Sequence, residues 1–176
     1  MKRIACSLLF LLMIFSFGVC AASPVDSNAT AAVALYIDTS GHYIPGMDLL
    51  NKALNEVIRF KINALMLGSE VQSGNEVLRD LSRCNVSSAG DATAETLTAY
   101  GNLRHVNNII LFSVRPLDVA LDLKLYSTVD NTFIVDKSIT RPDGSETLST
   151  VEALSNMVGS EVDQALQLVK KTVAVL

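Results

Sequence analysis

"NIILFSVRPLDVALDLKLYSTVDNTFIVDKSI", Asn108 to Ile139, is the stretch on which the fold turns. Its opening, Asn108 to Val114, is the most apolar strand of the chain. It is expected at the centre of a sheet, because a strand covered on both faces shows no polar alternation. Arg115-Pro116 ends it, since proline lacks the amide that a sheet ladder needs. Then Val119, Leu121, Leu123 and Leu125 alternate with Ala120, Asp122, Lys124 and Tyr126. Period two with one wet face means an antiparallel or edge-facing strand. Asp130-Asn131 suits a tight hairpin turn, and "TFIVDKSI", 132–139, returns as a third antiparallel strand.

Upstream, "AAVALYID", Ala31 to Asp38, reads as a buried strand. Met47, Leu50, Leu54, Val57 and Ile58 then recur at helical spacing with polar residues between them, which makes an amphipathic helix. "INALMLGS", 62–69, reads as a second buried strand, completing a β-α-β unit expected to be parallel and right-handed. Ser73-Gly74-Asn75-Glu76 has the S-x-x-E form of a capping box, with Val77, Leu78 and Leu81 as the buried side of a short helix. Asp91 is placed to cap another, which buries Ala94, Leu97 and Leu103 or Val106 and is weakened near its end by Gly101.

Downstream, Pro142-Asp143-Gly144 ends the meander, and Ser149 with Glu152 forms a second capping box. From Leu154 to Leu176 apolar residues hold to one broad face of a long last helix. The order is β-α-β-α-α-β-β-β-α. The compact solution is an α/β (α+β) domain: one mixed sheet of about five strands with helices packed on it.

The chain begins with Lys2 and Arg3, an uncharged apolar run from Ile4 to Val19, and the small residues Ala21, Ala22 and Ser23. That is the layout of an export signal. The division expected is a signal peptide at 1–22, a flexible lead at 23–30 rich in Pro, Asp, Ser and Asn, and a single domain at 31–176. Val19-Cys20-Ala21 and Cys20-Ala21-Ala22 both suit ordinary cleavage, which would discard Cys20. The alternative is that Cys20 carries a lipid, although Phe17 and Val19 fit a lipidation site poorly. An uncleaved anchor is the third course. With Lys2 and Arg3 removed, the net charge falls from −4 to about −6.

No basic stripe remains, so nucleic-acid binding has no electrostatic footprint. The chain has no Trp and two His residues, His42 and His105, far apart in sequence. No metal cluster and no cofactor are expected. Cys84, left alone after cleavage, reads as a small apolar core residue, with an intermolecular disulfide or a free thiol as the alternatives.

Two motifs nearly carry chemistry. Gly41 to Gly46, "GHYIPG", is half of a phosphate-binding loop, but Met47 and Asp48 follow where Lys and Ser or Thr are needed, and Pro45 removes an amide. Asp38-Thr39-Ser40-Gly41 approaches the D-T-G of aspartic proteases with one residue too many. Asn28-Ala29-Thr30 and Asn85-Val86-Ser87 match glycosylation sequons. Asp38, His42 and Tyr43, at the end of a strand where α/β sheets often place sites, are the ligand-site candidates. No catalytic set is expected.

The order of elements, carried by "VALYID", "EVLRDL", "AYGNLRHVNNIILFSV" and "VALDLKLYSTVDNTFIVDKSI", resembles the bacterial envelope domains of CsgG and of the amino-terminal part of TolB. The resemblance implies the fold and an envelope location, and it offers no catalytic residues to carry over. The chain departs from it in three ways: a poor lipidation site, loops too short for pore-forming hairpins, and no propeller domain.

The function expected is that of a non-enzymatic exported envelope protein, periplasmic or in the cell envelope, acting as a protein-binding assembly or secretion accessory. Its partner would be another envelope protein, for which a sheet edge such as 132–139 could accept a strand, with the membrane reached only through a lipid on Cys20 or an uncleaved signal. The alternatives are a small-molecule-binding periplasmic module and, behind it, a hydrolase using His42, Asp38 or Cys84.

Overall fold

The central strand of the sheet is β3 (Asn108–Arg115), in which every residue but Arg115 is buried. In the computed structural model, which describes residues 29–67, 69–144 and 147–173, it is flanked by β1 (Ala29–Ile37) and β4 (Ala120–Ser127). The short β2 (Glu70–Ser73) lies outside β1 and β5 (Thr132–Ile139) outside β4, so the order is β2-β1-β3-β4-β5. β1 runs parallel to both β2 and β3, and β3, β4 and β5 form the antiparallel meander. The segment expected as signal peptide, 1–22, and residues 23–28 of the lead expected at 23–30 lie outside the described residues. β1 takes in Ala29 and Thr30 as well.

Two helix layers bury the sheet. On one face, α1 (Met47–Leu65) and the long α4 (Thr150–Val173) cover Val33, Ile110, Phe112, Leu123 and Leu125. On the other, α2 (Asn75–Arg83), a 3-10 turn (Ala89–Asp91) and α3 (Ala94–Arg104) cover Ala32, Ala34, Ile109 and Leu111. Small Ala side chains alternate to both faces of β1, which lets helices approach it from either side. Lys61 of α1 and Asp163 of α4 pair at 2.6 Å. Lys137 of β5 reaches Glu161 of α4 at 2.6 Å, a close charge pair without hydrogen-bond alignment.

Five local expectations are corrected. "INALMLGS" is not a strand: Ile62 continues the buried four-residue spacing of Leu50, Leu54 and Ile58, so α1 runs on to Leu65, and Leu67 beyond it is exposed. The strand is instead the polar "EVQS", half covered at the sheet edge, where no apolar run is required. Ser73 does not cap α2. It is still in β2, and the chain turns at Gly74, whose φ of 84° and ψ of −157° only glycine holds readily.

Asp91 does not cap α3 either. Its carboxylate accepts from the Ser88 amide at 2.8 Å and closes the 3-10 turn, while Thr93 and Thr96 make the reciprocal box at α3. The buried side of α3 is Leu97, Tyr100 and Gly101, with Ala94 and Leu103 exposed. Val119 belongs to the turn before β4, at φ 46°, not to the strand. The Ser149–Glu152 box forms as expected, with the Ser149 amide and hydroxyl both donating to Glu152, at 3.0 and 2.8 Å.

Candidate functional site

The helices on the second face cover only part of the sheet, and cross-strand register decides what is left open. One row across the sheet aligns Tyr36, Ser113, Asp122 and Ser138, and the row beside it aligns Ala34, Leu111, Lys124 and Asp136. Tyr36, Ala34 and Leu111 pack under α2 and α3. The polar members toward β5 do not, and with Arg115 they line a cleft of about 510 Å³ whose opposite lip is the loop Ser87–Gly90.

The cleft sits at a switch in the chain's course. β1 leaves through α1 toward β2 on one side, and β3 leaves toward β4 on the other, so the carboxyl ends of two adjacent parallel strands part there. Such a parting leaves a crevice in which open α/β sheets often hold ligands. The Asp38 amide donates to the Val114 carbonyl at 2.8 Å and keeps the two strand ends together beneath it.

The charges in the cleft satisfy one another. Arg115 Nη2 donates to Asp122 Oδ1 at 3.3 Å and to Ser138 Oγ at 3.1 Å. Lys124 Nζ lies 3.7 Å from Asp136 and 5.5 Å from the centre of the Phe133 ring. Arg115 Nε is buried with no hydrogen-bond partner among the described residues. Burial, with Asp91 adding to it, pushes the Tyr36 hydroxyl up to about 12, so it stays a donor, to the Val86 carbonyl at 3.2 Å. Alternating donors and acceptors on a fixed sheet suit a small polar molecule that bears both kinds of group. No His or Cys lines the cleft. Among the described residues, no cluster of His, Cys, Asp and Glu is placed to hold a metal ion.

No family profile matches the chain, and no curated protein matches it in sequence. Its fold is similar to that of TolB from Acinetobacter baumannii, at 11% identity and a TM-score of 0.41, over 78% of this chain and 28% of that one. It is also similar to a PelC dodecamer from Paraburkholderia phytofirmans, at 10% identity and a TM-score of 0.40, over 81% of this chain and 88% of that one. The C-terminal domain of LpoB from Escherichia coli is a third, at 10% identity and a TM-score of 0.35, over 64% and 82%. The chain thus spans little more than a quarter of TolB.

The sequence candidates do not come together. Asp38 borders the cleft, but its carboxylate closes a local turn by accepting from the Ser40 amide at 2.7 Å. His42 is exposed, its Nδ1 3.3 Å from the Thr39 carbonyl, and Tyr43 is 91% exposed. Neither lines the cleft. Cys20 lies outside the described residues.

Cys84 is half-buried against the second-face core, where burial and then the Asp80 charge raise its thiol pKa, the opposite of activation. The residues that sequence reasoning missed are Ser113, Arg115, Asp122 and Lys124. Asp122 and Lys124 were visible as the wet half of an alternating strand. Which partners stand beside them depends on register, which alternation does not encode.

Proposed function

We propose that the chain is a non-enzymatic protein exported to the bacterial envelope, where it binds another envelope protein as an assembly or secretion accessory. The observation that carries the reading is the open edge of the sheet. β5 pairs with β4 on one side, no described strand lies on the other, and Ile134, 40% exposed, stands there at an irregularity in the pairing. An extended segment of a partner can add to such an edge through main-chain hydrogen bonds. Asp136 and Lys137 are held to Lys124 and Glu161 of the same chain, which keeps charge beside the edge and discourages indiscriminate pairing. The leader read from the sequence supports export, with the mature chain starting near Ser23 or, if lipidated, at Cys20.

The test is a photo-crosslinking residue at position 134, introduced into the chain expressed in its native host. A discrete adduct with one envelope protein is expected, and no adduct above background would defeat the reading. Intact mass of the processed chain, from soluble and membrane fractions separately, reports where it starts and whether it carries acyl mass.

A second reading is favoured by the cleft alone: a periplasmic module for a small polar ligand held between Arg115, Lys124 and the Ser87–Gly90 lip. A thermal-shift screen over zwitterionic and polyhydroxylated compounds in which none raises Tm would sink it.

A further inference from the structure

We propose that a second surface, the apolar groove at the end of the sheet where β1 and β3 finish, docks a peptide segment of a partner protein in which apolar residues are flanked by Lys or Arg. This rests on the protein-binding reading above and assigns it a surface distinct from the β5 edge.

The groove has a volume of about 350 Å³. Buried Leu50 and Pro116 lie at its base, and Ile44, Met47, Leu117 and Val151 rise around it from three separate elements: the loop into α1, the β3–β4 turn and the start of α4. Leu117 is 57% exposed and Val151 38%. Tyr43, next to Ile44 in the chain, is almost wholly in solvent. Single exposed apolar residues are ordinary, but several converging on one groove mark an interaction site. The turn that presents Leu117 also holds Val119 at φ 46°, a conformation unusual for a β-branched residue.

Charge selects the occupant. Each of the three elements follows its groove residue with an exposed acid: Met47 with Asp48, Leu117 with Asp118, Val151 with Glu152. Asp48 and Glu152 also suit the first turns of α1 and α4, but Asp118 is in no helix and has no such role. The Arg residues at this end of the sheet are engaged elsewhere, Arg115 on Asp122 and Arg141 on the Leu148 carbonyl at 2.7 Å. None of the three acids lines the groove itself, and Glu152 already accepts from Ser149, but exposed acids this close to it repel an anionic lipid surface. They also repel their own copies across a two-fold contact, where like patches meet. A segment with an apolar centre and basic flanks suits both the groove and the exposed acids next to it in the chain. The groove lies at the opposite end of β1 from Ala29.

The probe is a short fluorescent peptide with Leu and Phe at its centre and Lys on both sides, titrated against the processed chain by anisotropy. Its companion carries Glu in place of Lys. The expected result is saturable binding that weakens with salt, with the Glu peptide at least about tenfold weaker. Leu117→Glu and Asp118→Lys should each weaken binding of the Lys peptide by about tenfold or more with Tm unchanged; both side chains are exposed, so the fold should tolerate them.

Equal affinity for the two peptides, or indifference to Leu117→Glu, would overturn the proposal. Binding to phosphatidylglycerol vesicles, or self-association, without binding of the Lys peptide would overturn it as well. A photo-crosslinker at position 117 separates the two readings. An adduct from position 134 with none from position 117 removes the groove and leaves protein binding standing, whereas no adduct from either removes both.

Discussion

Gly101 of α3 lies directly against Thr128 in the β4–β5 turn, so closely that a Cβ at position 101 would overlap the Thr128 methyl. The Thr128 hydroxyl donates to the Val106 carbonyl at 2.7 Å, and the Val106 amide donates to the Gly101 carbonyl at 3.1 Å. The glycine is therefore a packing requirement, although on helix propensity alone alanine would be better there by up to about 1 kcal/mol.

Gly101→Ala should destabilise the protein by about 1–3 kcal/mol, because the overlap outweighs the propensity gain. Thr128→Ser in the same chain removes the offending methyl and keeps the hydroxyl, so it should recover part of the loss. Urea denaturation of both variants checks this, and an unchanged midpoint for Gly101→Ala would contradict the contact.

Asp80, 5% exposed in its side chain, draws Arg83 at 3.0 Å, Arg104 at 3.4 Å and Arg79 at 3.6 Å. Arg104 also donates to Gln72 at 3.1 Å, joining α2, α3 and β2. Asp80→Ala should cost about 1–2 kcal/mol, less than for a fully buried pair because the arginines keep access to water. Arg79→Ala, at an exposed and longer contact, should stay within about 0.5 kcal/mol of the parent. Chemical denaturation should rank Arg104→Ala between the two.

Tyr100 is fully buried, and its hydroxyl has no hydrogen-bond partner among the described residues. Tyr100→Phe should therefore hold stability or raise it by up to about 1 kcal/mol, since an unsatisfied polar group is removed and the ring stays. A loss beyond that would mean the hydroxyl is satisfied by bound water. Burial lifts the hydroxyls of both Tyr36 and Tyr100 from 10.0 to about 12. The folded chain then keeps protons that the unfolded chain releases, so stability falls as pH rises between those values. Absorbance titration should find two tyrosines ionising late, and Tyr100→Phe should leave one.

The Glu152 carboxylate is held below the usual range chiefly by the Ser149 hydroxyl and then by the Ser149 amide. Its contribution is present above the unfolded value of about 4.3 and is lost as pH falls through the lower folded value. A carboxyl-carbon NMR titration should place the Glu152 midpoint below about 4.3, and Ser149→Ala should move it upward. A midpoint unaffected by that substitution would mean the capping box is not formed in solution.

The strands of the meander and the last helix were legible because their periodicity is uninterrupted: Leu121, Leu123 and Leu125 alternate, and Leu154 to Val169 keep one helical face. Misreadings fell where local signals compete. Ile62 to Leu67 is apolar enough for strand or helix, and only the continued spacing from Leu50 decides for helix. β2 carries no apolar signal because an edge strand needs none. Ser73 and Asp91 have capping chemistry, but each was assigned to a helix that starts elsewhere.

What the sequence by itself determined is the class of the domain and the order of its elements other than β2, since hydrophobic period is a local property that survives without knowledge of neighbours. Only the tertiary structure decided which residues meet. Ser113, Asp122 and Ser138 share a cleft because strand register aligns them, and Met47, Leu117 and Val151 share a groove because two helix starts and a turn converge at one end of the sheet. Both depend on contacts between residues far apart in the chain, which periodicity within a segment cannot specify.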